Sequence, residues 1–394
     1  MASRTVLILG GGWGGLTLAH HLRGLLSSEH RVVVVEHNDK FGLHVSNMWL
    51  MAGERTGLDQ VQRDMGKLKR EGIEWVHTQA QQLDPVTRVV ETDAGRLSGD
   101  YVVIALGAEL ASHSVPGFAA GALNLYDPEG AVEIREALER FDGGKIVVLV
   151  GGVPFRCPAA PYEAAMLVEA FLRERGIRDQ TDLSLYTPEP QPMGVAGPAV
   201  GEALVGMLEE RRIGYHPKQT VTKIEPESRT LHFGNQVVFF DLLIGVPPHR
   251  APSLVTDAGL VDATGYVPVH PQTLEILSDP DTLQVHYPGV FAIGDVASIR
   301  LLNAMLLPKA GVFAEAQAQV VATAIADDIR GELSRARFDG NGFCYVEVGD
   351  GLAAYGSGDF FAYPAPRVRI DPPTEEYRRA KEEYEQVLDT WFDQ

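Results

Sequence analysis

The chain has 394 residues, of which 45% are hydrophobic and 22% charged, a balance that suits a folded globular protein of two or three domains. Its 34 Lys and Arg stand against 53 Asp and Glu, and a net charge of −19 argues against binding by charge to nucleic acid or to an anionic lipid surface. Two cysteines, Cys157 and Cys344, are too few for a disulfide scaffold or a multi-cysteine zinc module. No secretory apolar stretch opens the chain and no run approaches the ~18–20 apolar residues of a membrane helix. The reading is a cytoplasmic protein, with membrane contact at most peripheral at the inner face.

In chain order, Thr5-Val6-Leu7-Ile8-Leu9 reads as a buried strand. Gly10, Gly12 and Gly15 follow, then a helical pattern from Leu16 to Leu26, then a second strand, Arg31–Val35, ending in Glu36. Glycines at these spacings let the chain turn tightly, approach a pyrophosphate and pack a helix on a strand, while the acid about twenty residues further on suits a ribose hydroxyl. With Trp13 in the turn, this is a dinucleotide site. Tyr101–Leu106 ending in Gly107, and Gly289–Ile293 ending in Gly294-Asp295, resemble the other two strand ends of FAD-binding flavoproteins and make FAD the expected dinucleotide.

A second buried strand, Lys145–Val150, stands where such proteins carry an NAD(P)H fingerprint, but its turn reads Gly151-Gly152-Val153-Pro154-Phe155-Arg156-Cys157. Val153 fills the place of a glycine that must admit phosphate, Pro154 lacks an N–H, and Arg156 is too large for close helix packing. Leu183–Tyr186 has no acid directly at its tip. Hydride delivery here is therefore not expected. Cys157 instead lies near a predicted helix, Ala164 to Arg175, beside Arg156 and close to Glu163, a setting expected to lower a thiol pKa. Cys344 lies in a glycine-rich turn entering an alternating strand. The pair reads as a redox disulfide, with an unpaired Cys344 as the alternative.

These residues resemble the sulfide:quinone oxidoreductases and the flavoprotein subunit of flavocytochrome c sulfide dehydrogenase, among the disulfide-reductase-like flavoproteins, from about residue 4 to about residue 350. The most specific stretch is Pro154-Phe155-Arg156-Cys157-Pro158-Ala159-Ala160-Pro161-Tyr162-Glu163; Ser46-Asn47-Met48-Trp49, Leu307-Pro308-Lys309-Ala310-Gly311 and Cys344-Tyr345 are similar to further family segments. The resemblance implies an α/β fold of two Rossmann-like domains with a small C-terminal region: residues 1–112 and 251–330 for FAD, 113–250 for the second Rossmann-like domain, and 331–394 for the C-terminal region. It further implies FAD held by Gly10, Gly12, Trp13, Gly15, Glu36, Asn47, Ala80, Gly107, Gly294, Asp295 and Lys309. The resemblance implies too that sulfide or a persulfide is oxidised at Cys157 and Cys344, with Cys157 as persulfide carrier and Cys344 as the thiolate nearer the flavin. On the same resemblance Glu163 would move a proton, Lys309 would offset charge on the reduced ring, and a quinone or other acceptor would take the electrons.

The chain departs from many relatives in having no third cysteine and in ending on an acidic helix whose stripe, Tyr377, Tyr384, Leu388 and Trp391, is better suited to protein than to lipid. A homo-oligomer is compatible with that stripe. Two rival readings are a type II NADH:quinone dehydrogenase-like enzyme and a non-catalytic flavin redox sensor or partner subunit. The histidines, among them His20, His44 and His249, are scattered and read as surface or satisfied core groups, with no metal spacing.

Overall fold

A computed structural model describes residues 2–392. Val6–Leu9 and Val32–Val35 are fully buried runs, as strands covered on both faces must be. They lie in a five-stranded parallel sheet ordered Val290–Ala292, Tyr101–Ile104, Thr5–Leu9, Arg31–Glu36 and Glu74–His77. The return strand Val290–Ala292 thus sits at the sheet's edge beside Tyr101–Ile104, so residues far apart in sequence share one strand-end row. A second five-stranded parallel sheet runs Leu123–Asn124, Leu242–Val246, Gly144–Val150, Thr181–Tyr186 and Gly214–His216. The architecture is α/β with two Rossmann-like sheets, completed by an antiparallel sheet of Asn341–Gly349, Leu352–Asp359 and Arg367–Thr374. Pro372 and Pro373 are tolerated because their strand is an edge of that sheet.

Two helices begin earlier than the sequence pattern suggests. The first spans Trp13–Leu25, so its N-terminus abuts the glycine turn. The helix after Cys157 spans Ala160–Glu174, four residues ahead of the expected start, because Pro161 is accommodated in the first turn, where a missing N–H leaves no bond unmade. This shift places Glu163 in the first turn of the helix.

The C-terminal stripe docks on its own chain. Thr374 caps the helix Glu375–Glu383 by accepting a hydrogen bond from Tyr377 N, and a 3-10 turn, Tyr384–Gln386, leads into Val387–Phe392. Leu388 and Phe392 are buried, Trp391 lies 5.0 Å from Trp13 and stacks on His20, and Tyr377 stacks on Tyr355. Salt bridges from Arg55 to Glu385 and from Arg63 to Asp389 fasten the same segment to the N-terminal part of the chain. Among the described residues, no helix is long and apolar enough to cross a membrane.

Candidate active site

A cavity of about 600 Å³ runs from the first glycine turn to the two cysteines. Gly10 takes φ +104°, and a Cβ there would stand 2.5 Å from Ala105 O. Gly12 precedes the helix with no side-chain cap, and a Cβ on it would meet nothing within 4 Å. The open space in front of that helix end, with its unpaired N–H groups, fits a pyrophosphate. Gly15 serves packing and is off the cavity wall: a Cβ there would be 2.0 Å from Gly10 O. Glu36 lines the cavity and accepts hydrogen bonds from Gly11 N and Asn38 N, both at 2.8 Å. Trp13, Asn47, Ala80 and Gly107 also reach the wall, Asn47 fixed by donation from Nδ2 to Leu125 O.

Further along, Gly294 and Asp295 form the wall, and burial pushes the Asp295 carboxyl up against the opposing charges of Lys309 and Arg156. A second helix, Gly311–Arg330, starts on the same wall with no side-chain cap, so its positive end also faces the cavity. Two uncapped helix ends, an acid at the end of the second strand and a glycine-Asp strand end in one continuous cavity suit FAD. Lys309 is placed differently from the others: it is buried behind the main cavity, its Nζ donates to Asp295 O, and it lies 3.4 Å from the centre of the Tyr266 ring. Burial pulls its pKa down to about 8.

At the far end the cavity meets Cys157, Cys344 and Glu163. Both cysteines are free thiols, so the disulfide expected from the sequence is not formed in this structure. Cys157, at φ +48°, is exposed, but into the cavity rather than to bulk solvent, while Cys344 is half-buried on its strand. The expectation of a lowered thiol pKa is overturned. Burial, reinforced by Asp295, raises Cys157 to about 11 despite Arg156, and burial, reinforced by Glu163 and Cys157, raises Cys344 to about 12. The adjacent arginine counts for less than the loss of water and a carboxylate from a distant segment.

The altered turn of the second sheet is occupied by the chain itself. Cys157 N donates to Lys309 O at 2.7 Å, Arg156 pairs with Lys309 in a β-bridge, and Tyr126 OH donates to Arg156 O at 2.7 Å. Glu189, three residues past Tyr186, is engaged by Tyr162 OH at 2.6 Å. His44, read from sequence as a surface or core group, opens into the cavity, where Arg156 and then burial hold its pKa well below the usual imidazole range.

Sequence reasoning missed a buried ion cluster behind Glu163. Lys381, 3% exposed, bonds both Glu163 and Glu347, the latter at 2.8 Å. Glu347, 2% exposed, also accepts from Trp49 Nε1 at 2.7 Å and pairs with Arg378, which reaches Glu54 and, at 2.8 Å, Glu382. Burial raises Glu163 to about 7, with Lys381 opposing and Glu347 adding to the rise. One signal was available: Lys381 falls in register with Tyr377, Tyr384, Leu388 and Trp391, a charge within the inward stripe.

Residues 4–321 match the family described as pyridine nucleotide-disulphide oxidoreductase. The chain belongs to that family. This pyridine nucleotide-disulphide oxidoreductase is 24% identical over 384 residues to the mitochondrial sulfide:quinone oxidoreductase of Mus musculus, covering 94% of the chain and 81% of the relative. It is 26% identical over 382 residues to the sulfide-quinone reductase of Aquifex aeolicus (strain VF5), covering 93% and 86%. The crystal structure of the sulfide:quinone oxidoreductase from Aquifex aeolicus shares its fold, with a TM-score of 0.85 at 24% identity over 98% of this chain and 90% of that one. The family member described here is an FAD-dependent oxidoreductase.

Proposed function

We propose that the enzyme oxidises sulfide at Cys157 and Cys344 and passes the electrons through FAD to a quinone or comparable acceptor. The observation that carries this reading is the convergence of both cysteines and Glu163 on one end of the FAD cavity, while the turn that would hold NAD(P)H is bonded to Lys309. The named activities of the mouse and Aquifex relatives support it.

The sulfur step starts from the oxidised cysteine pair. Hydrosulfide forms a new S–S bond to Cys157, the Cys157–Cys344 bond breaks, and Cys344 leaves as a thiolate. Re-forming the pair from the Cys157 persulfide and the Cys344 thiolate releases zero-valent sulfur, one proton and two electrons. Bound FAD would supply the two-electron chemistry that links this step to the acceptor. The chain's share is to open Cys157 into the cavity, hold Cys344 on the same wall, and place Glu163 where it would take the proton. Gly10, Gly12, Glu36, Gly294 and Asp295 would hold the cofactor, and Lys309, through Asp295, would bias charge at its ring.

Anaerobic titration tests the reading: sulfide is expected to bleach the flavin and NADH to leave it oxidised, and rapid bleaching by NADH but not sulfide would overturn it in favour of an NADH:quinone enzyme. Multiple turnovers with a short-chain quinone separate an enzyme from a flavin redox sensor, which would be reduced once. Glu163→Gln is expected to slow sulfide-driven reduction by roughly 10²-fold, the usual worth of a positioned proton carrier. Glu163 acts as a base once ionised, so the wild-type rate relative to the variant should rise as pH passes about 7 and level off above it. Hydrosulfide ionisation is common to both proteins and cancels in that ratio.

A further inference from the structure

The Glu163 carboxylate shares its lysine. Lys381 Nζ lies between Glu163 Oε1 and Glu347 Oε1, and all three groups are buried. Glu347 is itself held in place from two further sides, by Trp49 Nε1 at 2.7 Å and by Arg378 Nε. Arg378 in turn spends its remaining guanidinium nitrogens on Glu54 and Glu382, which are 39% and 43% exposed. The cluster therefore has an inner side facing the thiols and an outer side facing water. On the inner side a single ammonium serves two carboxylates, and Glu347 adds a second negative charge close to Glu163 that water does not screen. Cys157 and Cys344 complete the set of titratable groups around Glu163, and the charge of Glu163 in turn disfavours a thiolate at both.

We infer that Glu347 is a positioning residue: it draws some of the Lys381 ammonium's charge away from Glu163 and so governs the proton that Glu163 holds beside the two cysteines. Glu347 lies on the strand that carries Cys344, and Lys381 on the C-terminal helix, so that helix takes part in the chemistry as well as in packing. The inference rests on the reading of Glu163 as the proton carrier in sulfide oxidation, but its test needs no sulfide.

The test is an infrared titration of the Glu163 carboxyl in the flavin-loaded protein, the band being identified by its loss in Glu163→Gln. In Glu347→Gln the midpoint should move to lower pH by about one unit or more, the scale of a single nearby charge. In Lys381→Gln it should move to higher pH. Glu382→Gln, at the wet edge, should leave it in place. A merely structural role would loosen the core, admit water and lower the midpoint in both Glu347→Gln and Lys381→Gln. A shared direction in those two, or an unmoved midpoint in Glu347→Gln, overturns the inference. Should Glu347→Gln fail to retain flavin, Arg378→Gln probes the same sharing: Glu347, deprived of Arg378, leans harder on Lys381 and the Glu163 midpoint rises, and an unmoved midpoint overturns the inference. If sulfide fails to reduce the flavin while the midpoints move as stated, the proposed activity falls and the positioning role stands.

Discussion

Cys157→Ser and Cys344→Ser should each slow sulfide-driven flavin bleaching by at least ~10³-fold, and the double variant should be little worse than either single one, as expected for residues that act as a unit. Neither serine can form the S–S bond that hydrosulfide attacks. The two variants should differ in what they trap. Leaving-group ability barely separates the thiols, at about 11 and about 12, so access decides which sulfur is attacked, and Cys157 is the more exposed of the two on the cavity wall. Mass spectrometry of Cys344→Ser after exposure to a small persulfide donor should therefore find the added sulfur on Cys157, and Cys157→Ser should carry much less on Cys344. Equal labelling would reverse or abolish the assigned roles, and unchanged bleaching in both variants would remove the cysteines from the mechanism.

The second large effect is expected at the glycine turn, where two neighbouring glycines should fail in different ways. In Gly15→Ala the new methyl would collide with Gly10 O, a backbone atom, so either the glycine turn or the helix Trp13–Leu25 must shift. The cost is expected to be ~1–3 kcal/mol from overpacking, together with loss of flavin as the helix end leaves its place. In Gly12→Ala the methyl meets no protein atom, so thermal stability of the flavin-free protein should be unchanged within about 0.5 kcal/mol. The methyl would still occupy the cavity in front of the helix, and flavin retention should drop by ~10-fold or more, as when a backbone can no longer approach a pyrophosphate. Thermal unfolding with and without added FAD separates the two. Full flavin content in Gly12→Ala would move the pyrophosphate elsewhere.

Much of this is legible in the chain because it is local. The turn from Gly10 to Gly15, its flanking strands and Glu36 fall within one β–α–β unit, and the altered turn at Gly151–Cys157 announces itself by a valine, a proline and an arginine where small residues belong. Tyr384, Leu388 and Trp391 are recognisable as a docking stripe from their spacing alone. What escapes is set by distant partners. The Cys157 thiol looks activated because Arg156 is its neighbour in sequence, whereas its pKa follows burial and Asp295. Glu347 looks like one polar residue in an alternating strand, and only the fold brings it to Lys381, Arg378 and Trp49. The helix that follows Cys157 starts four residues before its apolar pattern suggests, because Pro161 belongs to the first turn rather than to the loop ahead of it.

The wall supplied by Lys381 and Tyr384 also sets an order of assembly. The glycine turn, Gly294-Asp295 and both cysteines all precede the segment from Thr374 to Phe392, so a growing chain has made them before it makes that segment. Until the helix docks, the cavity lacks one side and Glu163 lacks its ammonium partner. The end of the cavity that holds Cys157, Cys344 and Glu163 is therefore closed only once Lys381 and Tyr384 have been added.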